Sequence, residues 1–231
     1  MNKKISTSFK IFSSILWDPV TLCISLEIIT FSDWVYEYNW TRNQITQTTD
    51  IKIDQLNEVS DQIKSYFKDD QEKLEILLHQ PGRQVFSLFN QKEIDHMVDV
   101  KNLIKATLLF ERIGLVLLLI FFIFFLFKEG YQKFYDNFKR VILGSFLIWS
   151  ILLFLIIFGM IIDFNYTFTL FHKIMFTNDL WILDPNTDFL IMIFPQRFFL
   201  EISAAIIILF LLINLIIFFS IFSFRKFFTP R

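Results

Sequence analysis

His79, His96 and His172 are the only histidines in the chain. An imidazole with a pKa of about 6.5 can take and return a proton at neutral pH, or act as a nucleophile. His96 is followed at i+3 by Asp99, on the same face of a helix, a spacing at which a carboxylate can orient the ring or stabilise its charged form. His172 has Asn178, Asp179 and Asp188 downstream as hydrogen-bonding partners. Plainer readings stand beside these. His79, in Leu78-His79-Gln80-Pro81, reads as a solvated loop residue; His96 could be an ordinary helical histidine paired with Asp99, and His172 an interfacial polar group. A third reading is zinc held by two histidines with Asp99 or Asp179, but no HExxH or similar tight spacing occurs, so no metal is expected. The single cysteine, Cys23, can form no internal disulfide and no CxxC pair. GxSxG, P-loop and GxGxxG motifs are also missing, so Ser/His/Asp hydrolysis has no local signature and no cofactor is expected.

The elements that must position these histidines are set by composition. The chain has 231 residues, 54% of them apolar and 19% charged, and a mean hydropathy of +0.50, which excludes an ordinary solvated globule. A net charge of −1 leaves no basic excess for a nucleic-acid backbone, so no nucleic-acid partner is expected. The 32 Phe, against 5 Gly, are bulk filling rather than chemistry. A spanning helix needs about 20 apolar residues. Four stretches qualify: Phe9 to Phe31, Ala106 to Phe127, Val141 to Ile162 and Ile202 to Phe224. The first contains Asp18, Pro19 and Glu27; Val20-Thr21-Leu22-Cys23 resembles a lipobox, but Leu22 is too large for the small residue required before the cysteine, so the segment is kept as a helix.

Basic residues in short flanks are retained in the cytoplasm. Lys3, Lys4 and Lys10, then Lys128, Lys133, Lys139 and Arg140, then Arg225, Lys226 and Arg231 place the N-terminus, the middle connector and the C-terminus inside. Ser32 to Lys105 carries thirteen acids against nine bases, and Asp163 to Leu190 carries four acids against Lys173, which places both outside. The expected layout is all-α and polytopic, in a cell membrane. Residues 1–31 form the cytoplasmic N-terminus and first span, 32–105 an extracytoplasmic domain, 106–127 the second span and 128–140 a cytoplasmic loop. The third span, 141–162, leads to an extracytoplasmic or interfacial loop, 163–201; the fourth span, 202–224, ends in a cytoplasmic tail, 225–231.

Within the first outer segment, Ile53, Leu56, Val59, Ile63, Tyr66 and Phe67 repeat at helical spacing, predicting an amphipathic helix on the protein or on the lipid surface. Pro81-Gly82 marks a turn. Asn90-Gln91-Lys92-Glu93 reads as an N-cap with an acid three positions on, starting a helix that runs through Lys105 into the second span. In the second outer segment the apolar run Phe189 to Phe194 is too short to cross a bilayer; it is expected in the interface, or dipping in and returning under protein cover. Ionisable residues near span ends, Glu27, Glu111, Arg112, Arg197 and Glu201, all fall at outer-leaflet depth. Arg112 and Arg197 either snorkel or line a polar pocket able to hold a headgroup or an amine.

The string from Phe89 through Asn90, Glu93, His96-Met97-Val98-Asp99-Val100 to Lys101, with Phe171-His172, Trp181-Ile182-Leu183-Asp184-Pro185 and Phe194-Pro195, resembles the bacterial lipoprotein intramolecular transacylase family. The resemblance covers most of the chain. It implies a cofactor-free enzyme that moves the sn-2 acyl chain of a diacylglyceryl-modified lipoprotein onto the α-amino group of its own N-terminal cysteine, giving the lyso form, with membrane lipid around it. It also implies that His96 and His172 are the catalytic pair. Asp99 is then expected to orient His96, and Asn178 to contact the reacting carbonyl. Two alternatives remain open in the sequence: a membrane lipid or lipoprotein ester hydrolase using the same pair, and a non-enzymatic scaffold whose outer domain only binds.

Overall fold

The computed structural model describes residues 3–78 and 86–228; His79 and the Pro81-Gly82 turn lie outside them. In chain order the elements are α1 (Lys3–Thr30), α2 (Asp33–Arg42), α3 (Ile45–Thr49), α4 (Ile53–Lys68), β1 (Leu77–Leu78), β2 (Phe86–Ser87), α5 (Gln91–Ile162), α6 (Phe164–Met175), α7 (Phe189–Ile193) and α8 (Gln196–Phe228). Among the described residues four helical stretches are long and apolar enough to cross a membrane, Thr7–Thr30, Gln91–Lys128, Lys133–Ile162 and Gln196–Ser220, the number expected from the sequence. The strands are a two-residue antiparallel pair with Leu77 opposite Ser87. The chain divides into two compact units.

One unit comprises Met1–Glu27, Leu108–Phe158 and Ala205–Arg231. The two arms of α5, Gln91–Lys128 and Lys133–Ile162, of which Leu108–Phe158 lies in this unit, meet at Gly130, whose φ of 74° and ψ of 168° interrupt the helix. Phe122 and Phe138 would stand about 24 Å apart along one straight helix, yet their rings touch at 4.6 Å, so the chain reverses here. Trp17, Val20, Leu118, Val141 and Ile142 make the buried core. In hydrocarbon the helices gain little from hydrophobicity and are joined by close approach and polar contacts. A Cβ on Gly114 would come within 2.3 Å of Val20 Cγ2, and one on Gly144 within 2.8 Å of Ser14 Oγ. Trp17 Nε1 donates to Asn214 Oδ1 at 2.7 Å, and Asn214 Nδ2 donates to Thr21 Oγ1 at 3.2 Å. Pro19 has no N–H for the carbonyl of Ile15; that carbonyl accepts instead from Trp149 Nε1 at 3.1 Å.

The other unit comprises Ile28–Thr107 and Gly159–Ala204. The predicted amphipathic helix is α4, and the protein rather than a lipid surface covers its apolar face: Leu56, Val59, Ile63, Tyr66 and Phe67 are all buried. The run Phe189 to Phe194 forms α7, with Leu190, Ile193 and Phe194 buried in protein. Trp40 and Tyr36 from α2 meet the Phe194 ring at 5.7 and 6.1 Å, while Asn39 Nδ2 donates to Ile193 O at 2.9 Å. The segment after the third span, expected as an extracytoplasmic or interfacial loop contributing to a mainly helical outer domain, begins with a helix. In α6, Asp163 accepts from Tyr166 N at 2.9 Å as an N-cap, and Phe164, Phe168 and His172 follow at helical spacing.

Candidate active site

The first arm of α5 is about 57 Å long, at 1.5 Å per residue, against a hydrocarbon thickness of about 30 Å. Its opening part, from Gln91 to Lys105, carries Lys92, Glu93, Asp95, Asp99, Lys101 and Lys105, and so belongs outside the hydrocarbon. The arm starts as the sequence predicts, with a reciprocal capping box. Glu93 N donates to Asn90 Oδ1 at 3.1 Å and Asn90 N to Glu93 Oε2 at 2.7 Å. One turn later stands His96, 6% exposed.

His172, near the end of α6, is buried as well, and its ring centroid is 6.1 Å from that of His96 with the planes at 37°. Aromatic rings surround the pair. Phe176 meets the edge of His96 at 5.3 Å; Phe168, Phe171 and Trp181 lie 4.2, 5.3 and 5.0 Å from His172. Such walls disfavour charge. Burial, reinforced by the nearby His172, pushes the His96 imidazole down to about 4, with Asp99 only partly opposing. Burial also lowers His172, against a smaller raising effect from the Phe168 carbonyl. Both rings are therefore neutral at pH 7. His172 Nδ1 lies 2.7 Å from Phe168 O. A carbonyl only accepts, so Nδ1 carries the hydrogen and Nε2 keeps its lone pair. His96 Nδ1 is buried with no hydrogen-bond partner among the described residues.

The residues around the pair depart in part from expectation. Asp99 does not hold His96: its Oδ2 accepts from Asn178 Nδ2 at 2.9 Å. Asn178 is correspondingly committed, its Oδ1 accepting from Leu180 N at 3.1 Å, which leaves one amide N–H. Asp188 is buried and accepts from Asn90 Nδ2 at 2.9 Å and Asp184 N at 2.8 Å, so it closes the loop rather than facing His172. Asp179 is exposed. Arg197 is exposed and pairs with Glu201 at 3.0 Å, and Arg112 belongs to the other unit, also exposed. Among the described residues no three His, Cys, Asp or Glu side chains converge as metal ligands.

Sequence reasoning missed Glu93 beyond its capping role. Its side chain is 1% exposed, and Oε1 accepts from Leu190 N at 2.6 Å, tying the start of α7 to the first turn of α5. Burial raises its pKa, while the Leu190 and Asn90 amides pull the other way. The signal was the acid itself: a capping-box glutamate has two oxygens, and the box uses one. Trp181 enters the sequence reading only as part of the string that resembles the family, although its ring covers His172.

These features define a polytopic helical membrane protein with two buried histidines brought together under aromatic rings. A family model described as lipoprotein intramolecular transacylase Lit matches residues 11–199, and the chain belongs to that family, which makes it an acyltransferase of lipoproteins. Solved structures of the membrane-integral lipoprotein intramolecular transacylase of Bacillus cereus share the fold. One aligns with a TM-score of 0.71 at 22% identity over 97% of each chain. A variant of that protein with one histidine changed to arginine aligns at 0.72 and 20% identity, over 98% of this chain and 96% of that one. No curated protein matches the sequence.

Proposed function

We propose that His172 is the base and His96 the hydrogen-bond donor for transfer of the sn-2 acyl chain of a diacylglyceryl lipoprotein to the α-amino group of its own N-terminal cysteine. The observation that carries this reading is the neutral pair at 6.1 Å, with the tautomer of His172 fixed by the Phe168 carbonyl. The amine, with a pKa of about 8, attacks as the neutral form. As its nitrogen bonds to the ester carbonyl carbon, His172 Nε2 takes one of its protons. His96 donates a ring N–H to the developing oxyanion, a role open to a neutral imidazole whose Nδ1 has no competing partner among the described residues. The carbon–oxygen bond to glycerol then breaks, and the imidazolium of His172 returns the same proton to the leaving glyceryl oxygen. One amide forms, one ester is lost, and His172 ends as it began.

Ester and amine belong to one molecule, so the site need only fold the substrate onto itself, and proximity supplies much of the rate. Burial of the rings supports the choice of transfer over hydrolysis, since a site walled by Phe168, Phe171, Phe176 and Trp181 disfavours competing water. We further place this unit on the outer face of the cell membrane, with both termini in the cytoplasm, on the strength of the basic residues flanking the spans.

The test is N-terminal lipopeptide mass spectrometry on a reporter lipoprotein, with the chain expressed in a host that lacks this activity. Transfer moves the acyl chain onto nitrogen at constant mass; loss of an acyl chain would establish the hydrolase instead. His172→Ala and His96→Ala are each expected to lower the lyso-form yield by on the order of 10²–10⁴. Undiminished yield in both variants would remove the histidines from the mechanism.

A further inference from the structure

The i+3 spacing of His96 and Asp99 invites a simple pairing that the side chains do not make. We propose that Asp99 is a positioning residue for His172, acting through Asn178 and Trp181, and that it does not orient His96. The connection is continuous. Asp99 Oδ2 accepts from Asn178 Nδ2 at 2.9 Å, the carbonyl of Asn178 accepts from Trp181 Nε1 at 2.9 Å, and the Trp181 ring lies over His172 at 5.0 Å and 32°. Asn178 Oδ1 also accepts from Leu180 N at 3.1 Å, so the turn that presents Trp181 is closed on the residue Asp99 holds.

A second attachment fixes the same loop from its other end. Glu93 Oε1 accepts from Leu190 N at 2.6 Å, and Asn90 Nδ2 donates to Asp188 Oδ1 at 2.9 Å. The stretch between α6 and α7 is thus tied to α5 one turn before His96 and one turn after it. A carboxylate is the right group at Asp99, because a charged acceptor strengthens the hydrogen bond from Asn178. Trp181 is the right group at its position, because an indole has a donor to anchor and a broad face to hold a ring in place. With Nδ1 bound by Phe168 O and one face covered by Trp181, His172 keeps one orientation for its Nε2.

This inference rests on the assignment of His172 as the base, and the experiment separates the two. His172→Ala tests the base. Asp99→Ala, Asp99→Asn and Trp181→Phe, alone and as the pair Asp99→Ala/Trp181→Phe, test the relay, with the full-length protein in detergent and a synthetic diacylglyceryl lipopeptide as substrate. Asp99→Ala is expected to lower kcat on the order of 10-fold or more, the usual scale for a group that orients a reacting ligand. Asp99→Asn, which keeps an acceptor for Asn178, should recover most of that loss. Trp181→Phe keeps a ring but cuts the anchor, so adding Asp99→Ala to it should cost less than about 2-fold further. In nuclear magnetic resonance spectra, Asp99→Ala should move the ring-proton shifts of His172, which sense the Trp181 ring over them, whereas Asp99→Asn, which loses the carboxylate charge felt by His96 but keeps the acceptor for Asn178, should move His96 and leave the His172 shifts in place. The relay is overturned if Asp99→Asn is as damaging as Asp99→Ala, if the Asp99→Ala loss persists undiminished in the Trp181→Phe background, or if the His172 shifts do not move in Asp99→Ala. If His172→Ala leaves transfer intact, the assignment of the base fails, whatever the relay variants do.

Discussion

A neutral imidazole in an apolar pocket behaves differently with pH from one in water, and His96 makes that difference measurable. Burial and His172 hold it at about 4, below the ordinary value of about 6.5. As pH falls, the unfolded chain therefore binds this proton first. The folded state loses stability between about 6.5 and about 4 and is unaffected by this group above that window. Thermal unfolding in detergent should show the decline across these pH values, and His96→Ala should flatten it. On this reading kcat/KM rises with pH through two ionisations, that of the substrate amine at about 8 and that of the enzyme below about pH 6.5. An enzyme ionisation at about 6.5 or above, separate from that of the amine, would contradict a buried neutral pair. At this scale the sequence singled out His96 and His172 and misled on how their neighbours connect. The two, far apart in the chain, are brought together by a topology that puts both outer segments on one side of the membrane and by resemblance to a family, because no periodicity relates two residues on different elements. Asp99 had the spacing to serve His96, but spacing sets only which face a side chain shares; it turned to Asn178, a partner 79 positions away.

Helix boundaries follow the same division. The start of α5 was legible because a capping box is local: Asn90 and Glu93 meet whatever the rest of the chain does. The helix α6 was equally written in local signals, with Asp163 as N-cap and Phe164, Phe168 and His172 one turn apart, but its aromatic content reads as interface and obscured them. What could not be read locally is the bond from Leu190 N to Glu93, which needs α7 folded against α5. Its weight can be measured. Glu93→Ala removes a charged acceptor from the buried Leu190 amide and from the half-buried bond of the Asn90 amide, and losses of about 1.5–3 kcal/mol are typical for such bonds. Faster hydrogen exchange at Leu190 should accompany the lower stability, while Glu93→Gln, which keeps one acceptor oxygen, should fall between the two. Gly130 offers a contrasting case. Nothing among the described residues lies within 4 Å of a Cβ placed there, so Gly130→Ala is expected to cost backbone strain at φ 74°, about 1–3 kcal/mol, seen as a lower unfolding temperature.

Across the whole molecule, the four spanning helices were apparent because a hydrocarbon solvent imposes length and composition so strictly that little else needs to be known. The choice of which side faces out is weaker, resting on a few lysines and arginines, and it decides whether the histidines can meet a lipoprotein after export. Orientation can be read with single cysteines in a Cys23→Ser background, since Cys23 is the only native thiol. Glu58 is exposed on α4, and Lys133 is exposed at the start of the second arm of α5. Under the proposed orientation, Glu58→Cys reacts with a membrane-impermeant maleimide in intact cells, and Lys133→Cys reacts only after the membrane is opened. The positive charge near Lys133 would be held inside, and the acid-rich segment would stand where a mature lipoprotein presents its N-terminal cysteine. The reverse labelling pattern would place the histidine pair in the cytoplasm, where no exported lipoprotein carries a free lipidated amine, and the proposed reaction would lose its substrate.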